Sequence, residues 1–186
     1  MEANRELLET LTRVSTALQD REVSFALTGG CAIYARGGPL SYHDVDVLVR
    51  HEDVDAALGA LADVGMNTRD PAENWLAKAY DDGRLVDLIH RPNEEPVTDE
   101  TLGRAQRIRV GPVSAPVMPA TDLLVEKLLT LGPHRCDLTE VLPTARAIRE
   151  QVDWGEVERL TASSPYAEAF LLLVRRLGIS GGAAGS

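Results

Sequence analysis

Three aspartates and a pair of glycines are the residues of this chain whose types and spacing could do chemistry. Asp44 and Asp46 alternate with valines at the start of a predicted strand, Val45–Val49. Since successive side chains of a strand point to opposite faces, both carboxylates share one face, with α-carbons about 7 Å apart. Carboxylates this close repel each other unless a cation compensates them, and hard oxygen ligands suit Mg²⁺. The spacing therefore predicts a magnesium site, with an ordinary solvent-exposed Asp-x-Asp as the alternative.

Gly29, Gly30 and Asp87 extend this candidate site. The glycines follow a short apolar run, Val23–Thr28, and precede a predicted helix, where bare backbone amides can approach a phosphate. A tight turn is the alternative interpretation of the pair. Asp87 interrupts the apolar strand RLVDLIH, where a charge is costly unless it is paired or bound to a metal, so a salt-bridged core aspartate is the alternative there. The whole combination, in this order along the chain, is far more specific than any one part.

The combination resembles the nucleotidyltransferase superfamily, which has the DNA polymerase β-like fold, in its small single-domain bacterial branch. That family carries an apolar residue, Gly and then Gly or Ser, a spacer, an acid-apolar-acid strand and a third acid on a later strand. Here the matching run is Thr28-Gly29-Gly30, thirteen intervening residues and Asp44-Val45-Asp46, with Asp87 as the third acid. Thr28 departs from the apolar residue of the pattern, and the spacer is at the long end.

A second match lies further along the chain. The segment KLLTLGPHRCDLTEVL is similar to the lysine-then-Arg/Asp helix segment of abortive-infection type toxin nucleotidyltransferases and their relatives. Lys127, Arg135 and Asp137 are the matching positions, and Gly132-Pro133 interrupts the helical pattern between them. Lys127 would then be a nucleotide-binding residue that reaches the triphosphate, with an ordinary solvated lysine as the alternative.

The resemblance implies an enzyme that moves a nucleoside monophosphate from a nucleoside triphosphate, such as ATP, to an acceptor hydroxyl or phosphate. Asp44, Asp46 and Asp87 would be catalytic and would hold two Mg²⁺ ions, with Asp87 also acting as general base. Gly29 and Gly30 would bind the β- and γ-phosphates through their backbone amides.

Three classes of acceptor fit this chemistry: a small molecule such as an aminoglycoside-like antibiotic, a tRNA end, or a protein side chain. A toxin of this kind would pair with an antitoxin-like partner.

Two alternatives to an enzyme remain open. One is a catalytically silent nucleotide-binding module that acts through a partner protein, which the retention of three carboxylates disfavours. The other is an unrelated α/β protein with an Asp-x-Asp on its surface.

Charge limits the partners further. The 186 residues include 19 basic and 29 acidic ones, a net charge of −10, which repels the phosphate backbone of a long nucleic acid. A neutral or cationic small acceptor fits this charge best. Arg104, Arg107 and Arg109 form a dense basic cluster, expected to be a solvated face, with RNA contact as the alternative. Arg36 is expected on the surface, with phosphate contact as the alternative.

The predicted location is the cytoplasm. Two widely separated cysteines, Cys31 and Cys136, are too few for a disulfide framework, and the N-terminal segment is acidic. The sequence has no apolar run that approaches the roughly 18 to 20 residues needed to span a bilayer, so no membrane partner is expected.

The elements that must position these residues follow from periodicity. Apolar residues at helical spacing predict a first helix, Arg5–Leu18, and Asp82-Gly83 between two apolar runs predicts a β-hairpin. After Pro119 the pattern is helical only, with a break or kink near Pro143. Together with the resemblance, this predicts an α+β nucleotidyltransferase fold: a mixed β-sheet flanked by helices, with a C-terminal helical extension. The predicted bounds are 1–119 for the nucleotidyltransferase core, 120–178 for the extension and 179–186 for a disordered tail.

Overall fold

The computed structural model describes residues 2–39, 44–69 and 74–180. Over these residues the α-helices are α1 Glu2–Asp20, α2 Gly29–Ala35, α3 Val54–Asp63, α4 Asp99–Gly103, α5 Ala120–Leu129, α6 Leu138–Ile148, α7 Trp154–Leu160 and α8 Pro165–Arg176. The strands are β1 Phe25–Leu27, β2 Asp44–Val49, β3 Asn67–Arg69, β4 Leu76–Asp81, β5 Arg84–Ile89, β6 Gln106–Val110 and β7 Val113–Val117. None of the helices in these ranges is long and apolar enough to cross a membrane.

The strands form one mixed sheet, in the order β3-β4-β5-β2-β1-β7-β6. Two neighbouring pairs are parallel, β2 with β5 and β1 with β7. The other neighbours, β3 with β4, β4 with β5, β1 with β2 and β6 with β7, are antiparallel. The predicted α+β fold with a mixed sheet and helices is confirmed.

The described residues divide into two compact units. The first holds 2–35, 44–69 and 74–118, and therefore the whole sheet with α1 to α4. The second holds 36–39 and 119–180, with α5 to α8. This helical unit has an apolar core of its own, which includes Leu124, Leu128, Ile148, Phe170 and Val174.

The β4–β5 hairpin forms where the Asp-Gly signal predicts it. Both turn residues have positive φ, 49° for Asp82 and 86° for Gly83, as a two-residue type I′ turn requires. The turn fixes the register, which pairs Asp81 with Arg84 and Ala77 with Leu88. It therefore also decides which side chain stands opposite each residue of β5.

One face of the sheet is packed into the core of the first unit. Helix α1 contacts β2 and β7, and its buried stripe follows the helical spacing that the sequence predicts: Leu7, Leu11, Val14 and Leu18. The strand residues on this face are fully buried: Val45, Val47, Ala79, Val86 and Leu88. Burying each larger aliphatic side chain contributes roughly 1.5–3 kcal/mol. Because side chains alternate, the intervening residues of β2, β4 and β5 lie on the opposite face.

Of the break or kink predicted near Pro143, the break is wrong. Helix α6 runs from Leu138 to Ile148 through Pro143, so the helix does not break there. Proline removes one backbone hydrogen bond from a helix interior. Burial of Val141, Ala145 and Ile148 in the helical core offsets that loss.

Two elements of the first unit are not indicated by hydrophobic periodicity. Strand β3 carries only exposed polar residues, so it has none of the apolar alternation that signals a strand. Helix α4 is a single turn that begins at a capping box formed by Thr98 and Thr101. At the other end of the chain, the predicted disordered tail falls mostly on 181–186, outside the described residues, whereas Ile179 and Ser180 are buried.

Asp81 ties α1 to the hairpin and supplies a test of this packing. It is buried, accepts a hydrogen bond from Thr10 Oγ1 at 2.6 Å and forms an ion pair with Arg13. We expect Asp81→Ala to lower the free energy of unfolding by about 2 kcal/mol, because a buried hydroxyl and a guanidinium lose their acceptor. Urea unfolding followed by circular dichroism measures this. Glu9→Gln, which breaks the exposed Arg5–Glu9 pair, is the control and should cost less than about 0.5 kcal/mol. Equal losses in both variants would contradict the prediction.

Candidate active site

The structure brings together the three aspartates that the sequence singles out. Strands β2 and β5 are parallel neighbours, and their register pairs Asp46 directly with Asp87. Asp44, Asp46 and Asp87 each offer a carboxylate oxygen, and these oxygens all lie within 4.8 Å of one another. All three side chains are half-buried, so the cluster keeps access to solvent. The buried valines and leucine between them hold both strands to the core and turn the carboxylates to the other face.

The glycine pair lies directly against this cluster. Gly29 and Gly30 begin α2 after β1, and the N–H of Thr28 donates to the Asp46 carbonyl at 3.1 Å. Gly29 has a φ of +58°, and a Cβ placed there would lie only 1.8 Å from Asp46 Oδ2. Both the backbone conformation and the lack of space therefore require glycine at position 29. The requirement for glycine goes beyond that of a tight turn, because the atom that fills the space is a carboxylate oxygen of the cluster.

Cys31 lies beside the site, a position that no sequence motif indicates. Its thiol is buried and donates weakly to the carbonyl oxygen of Asp44, with Sγ and O 3.6 Å apart. Burial, and then the carboxylates of Asp46 and Asp44, raise the pKa of the Cys31 thiol to about 12. The thiol therefore stays neutral at physiological pH and adds no further charge to the cluster.

Lys78 is a neighbour of the site that the acidic motif does not reveal. The hairpin register pairs Lys78 with Asp87, and the β3–β4 register pairs Arg69 with Lys78. The row Asp46, Asp87, Lys78, Arg69 thus crosses four adjacent strands. Directly paired residues of a sheet share a face, so two carboxylates are followed by two cations along one line.

Lys127, Arg135 and Asp137 lie in the helical unit. Lys127 is half-buried on α5 and lines a small cavity of about 50 Å³ together with Arg135 and Asp137. Asp137 caps α6 by accepting from the backbone N–H of Thr139 at 2.9 Å. The hydrogen bond from the Thr139 hydroxyl, and then this backbone bond, lower the pKa of the Asp137 carboxyl. The three matched positions therefore meet, and Asp137 has a clear structural task in the helix cap.

Two predictions about arginines have different outcomes. Arg36 is buried, not on the surface: Gln151 accepts from its guanidinium at 3.3 Å and donates to its carbonyl at 2.8 Å. Burial lowers the pKa of Arg36, and the charge of Asp122 partly opposes that.

Of the predicted solvated cluster, Arg107 and Arg109 lie exposed on β6, an edge strand of the sheet. Charges on such an edge discourage pairing with another chain.

The donor set of the three aspartates fits a hard divalent cation. Oxygens within 4.8 Å of one another can converge on one ion, and Mg²⁺ is bound through oxygen ligands and usually keeps several waters. The missing Cβ of Gly29 leaves the carboxylate of Asp46 the space it occupies. Within the described ranges, no other group of three or more Cys, His, Asp or Glu side chains has this geometry.

The fold is that of nucleotidyltransferases. A solution structure of the antibiotic-resistance factor ANT(2'')-Ia is similar over 95% of this chain and 100% of its own, with a TM-score of 0.67 and 16% identity. A crystal structure of ANT(2'')-Ia in complex with adenylyl-2''-tobramycin matches 88% of this chain and 98% of its own, with a TM-score of 0.65 and 16% identity. The lincomycin-bound lincosamide antibiotic adenylyltransferase LnuA matches 75% and 96%, with a TM-score of 0.55 and 12% identity. At these identities the likeness concerns the fold alone.

The chain belongs to the family described as uncharacterised nucleotidyltransferase, whose profile matches residues 1–178. The predicted membership of the nucleotidyltransferase superfamily is thereby confirmed. The resemblance to abortive-infection type toxins stays a prediction. Among curated proteins there is no significant match.

Gly29→Ala tests the contact between the glycine loop and the cluster. The new Cβ would collide with Asp46 Oδ2 and would also strain a backbone at positive φ. We therefore expect Gly29→Ala to weaken Mn²⁺ binding, measured by electron paramagnetic resonance, at least about tenfold. Gly59→Ala, where a Cβ meets nothing within 4 Å, is the matched control and should bind Mn²⁺ like the wild type. Unchanged affinity in Gly29→Ala would contradict the placement of Asp46.

The two cysteines should differ in reactivity. Cys136 is exposed, whereas Cys31 is buried and its pKa is raised to about 12, so its thiolate is scarce. We expect Ellman's reagent at pH 8 to modify one thiol quickly in the folded protein and the second only after denaturation. Cys136→Ser should abolish the fast phase. A fast reaction that persists in Cys136→Ser would mean that Cys31 is accessible.

Proposed function

We propose that this chain is a Mg²⁺-dependent nucleotidyltransferase that moves a nucleoside monophosphate from an NTP to an acceptor hydroxyl or phosphate. One observation carries the proposal: Asp44, Asp46 and Asp87 meet with their oxygens within 4.8 Å, in a chain of the nucleotidyltransferase family. A bound divalent cation would offset the repulsion among three carboxylates held this close. A fold that maintains such a cluster with access to solvent is suited to binding metal with a polyphosphate.

The three aspartates have two roles in the proposed transfer, metal binding and proton acceptance. Asp44, Asp46 and Asp87 would hold two Mg²⁺ ions, which when bound polarise the phosphoryl oxygens and lower the pKa of the acceptor hydroxyl. Asp87 accepts the proton of that hydroxyl. The acceptor oxygen forms a bond to the α-phosphorus, the bond from that phosphorus to the oxygen bridging to the β-phosphate breaks, and pyrophosphate leaves with the electron pair. The fixed register of β2 and β5 contributes orientation, which is a large part of such catalysis.

The proposed donor contacts come from the glycine loop and from α5. Gly29 and Gly30 would donate their backbone N–H groups to the β- and γ-phosphates, since a loop without side chains beside Asp46 allows close approach. Lys127 would be a further contact to the triphosphate, supported by its resemblance to the family lysine and by its place beside Arg135 in one cavity. ATP is the donor we would test first.

The proposed acceptor is a small molecule. ANT(2'')-Ia has been crystallised with adenylyl-2''-tobramycin, and LnuA is a lincosamide adenylyltransferase. Antibiotic modification is therefore one form the function could take here, and tRNA or protein modification is a distinct outcome of the assay below. An antitoxin-like partner and a cytoplasmic location stay predictions.

A catalytically silent nucleotide-binding module is the second candidate. Such a module needs the phosphate contacts of Gly29 and Gly30, but it has no use for a third carboxylate. The convergence of Asp87 on Asp44 and Asp46 therefore favours the enzyme. A silent module would bind Mg²⁺ and NTP without transferring label.

Asp46→Asn should abolish transfer and spare the fold. The variant loses a charged metal ligand, so we expect the rate to fall at least about 10³-fold, equivalent to about 4 kcal/mol in the barrier. The measurement is transfer of label from each α-labelled NTP, with Mg²⁺, into a small-molecule panel, total tRNA and the protein itself. Asp55→Asn, which removes an exposed carboxylate on α3, is the matched control and should keep full activity.

The outcomes of this assay separate the candidates. Label in one pool, lost in Asp44→Asn and Asp46→Asn, establishes the transfer and identifies the acceptor class. Full activity in Asp46→Asn overturns the proposed site. Mg²⁺-dependent NTP binding without transfer into any pool supports the silent module, and no NTP binding removes both candidates.

A further inference from the structure

The sheet continues past Asp87, on the side away from the glycine loop, with two cationic residues in line with the carboxylates. Asp87 pairs with Lys78 of β4, and Lys78 pairs with Arg69 of β3. Adjacent strands lie about 4.8 Å apart, so the α-carbons of Lys78 and Arg69 stand roughly 5 and 10 Å from that of Asp87. The sheet order places β1 and the start of α2 on the other side of β2.

A second observation places Arg69 and Lys78 on the face of the aspartates. The guanidinium of Arg69 lies over the ring of Tyr80, 5.3 Å from the ring centroid. Tyr80 follows Lys78 by two positions on β4, so both point to one face, while Ala77 and Ala79 are buried on the other. Lys78 and Tyr80 are half-buried and Arg69 is exposed, so a ligand can reach all three.

We propose that Lys78, Arg69 and Tyr80 form the acceptor subsite and that the acceptor is a small hydroxyl compound that also carries a phosphate or a carboxylate. The inference rests on the proposed nucleotidyl transfer, in which the hydroxyl of this compound gives its proton to Asp87 and bonds to the α-phosphorus as pyrophosphate leaves. Lys78 and Arg69 hold the anionic group of the acceptor one to two strands away. Tyr80 keeps the Arg69 guanidinium in place through the cation–π contact.

Local charge gives a different answer from whole-chain charge. A net charge of −10 favours a neutral or cationic acceptor, but charges separated by more than about 8–10 Å are largely screened at physiological salt. On the outer side of Asp87 the acceptor meets Lys78 and Arg69, and at their own positions these two side chains favour an anionic group over a cationic one. The acidic remainder of the chain still disfavours a long nucleic acid. A small anionic acceptor is therefore compatible with both the local charge and the net charge of the chain.

Lys78 alone could be explained as a counter-charge for Asp87. Arg69 cannot, because it stands one strand further out and its guanidinium is engaged with Tyr80. Arg69 also presents a planar fork of donors, which matches phosphate and carboxylate oxygens. The position of Arg69, one strand beyond Lys78 and oriented by an aromatic ring, is therefore not accounted for by the carboxylate cluster.

The test uses inorganic phosphate as the probe of the subsite. The full chain is first loaded with Mg²⁺ and whichever α,β-methylene analogue of the four NTPs binds, so that the donor site is filled. Phosphate is then titrated by calorimetry. Chemical-shift changes of the backbone amides in ¹H–¹⁵N NMR spectra report where it binds. We expect phosphate to shift amides of β3 and β4, and Lys78→Gln and Arg69→Gln each to weaken its binding about tenfold, with Lys78→Arg restoring most of the affinity.

Arg107→Gln, which removes an exposed arginine on the opposite edge of the sheet, is the matched control and should bind phosphate like the wild type. The subsite is wrong if the donor-loaded protein does not bind phosphate, if both glutamine variants bind it normally, or if tobramycin shifts β3 and β4 in its place. Weakened analogue binding in Lys78→Gln, with phosphate binding unchanged, would make Lys78 a partner of the carboxylates only. Failure of all four analogues to bind would remove the proposed function and this inference together, whereas analogue binding without phosphate binding removes the inference alone.

Discussion

Repulsion among three carboxylates is the constraint on which the rest of this structure depends. With oxygens of Asp44, Asp46 and Asp87 within 4.8 Å, two unit charges at such a separation repel by at least about 3.5 kcal/mol at an effective dielectric constant of 20. Packing elsewhere in the sheet keeps the strands together against this repulsion. The valines of β2 and the apolar residues of β5 do so from the opposite face of the sheet. The helices behind the sheet thus hold in place a group of charges that would otherwise separate.

The space around the cluster follows from the same constraint. Position 29 requires glycine because Asp46 fills the volume that a Cβ would take. The buried Cys31 remains a neutral thiol beside the carbonyl of Asp44 and the carboxylates of Asp44 and Asp46. On the other side, the cross-strand neighbour of Asp87 is Lys78. Charge across this face therefore changes sign along one row of the sheet, from the acidic centre to a basic edge. Whole-chain composition averages that change away.

Much of this arrangement could be predicted from the sequence, because local rules determine it. Alternation puts Asp44 and Asp46 on one face, and the two-residue turn at Asp82-Gly83 sets Lys78 opposite Asp87 by counting back from the turn. Other features depend on tertiary contacts that no short pattern encodes. Strand β3 has no apolar residues, Arg36 is buried against Gln151, and α6 continues through Pro143 because its apolar face is covered. The approach of Gly29 to Asp46 likewise requires β1 and β2 to be paired first.

The order of strands has an evolutionary consequence. The glycine loop and the acidic strands occupy the middle of the sheet, where a change of one residue disturbs several neighbours at once, whereas β3 is an edge strand with exposed side chains. Codons for positions on β3 can therefore drift with little penalty in folding. Related proteins built on this sheet could keep the same central strands while their edge strands change. Paralogues with the same core would then differ first at positions such as Arg69.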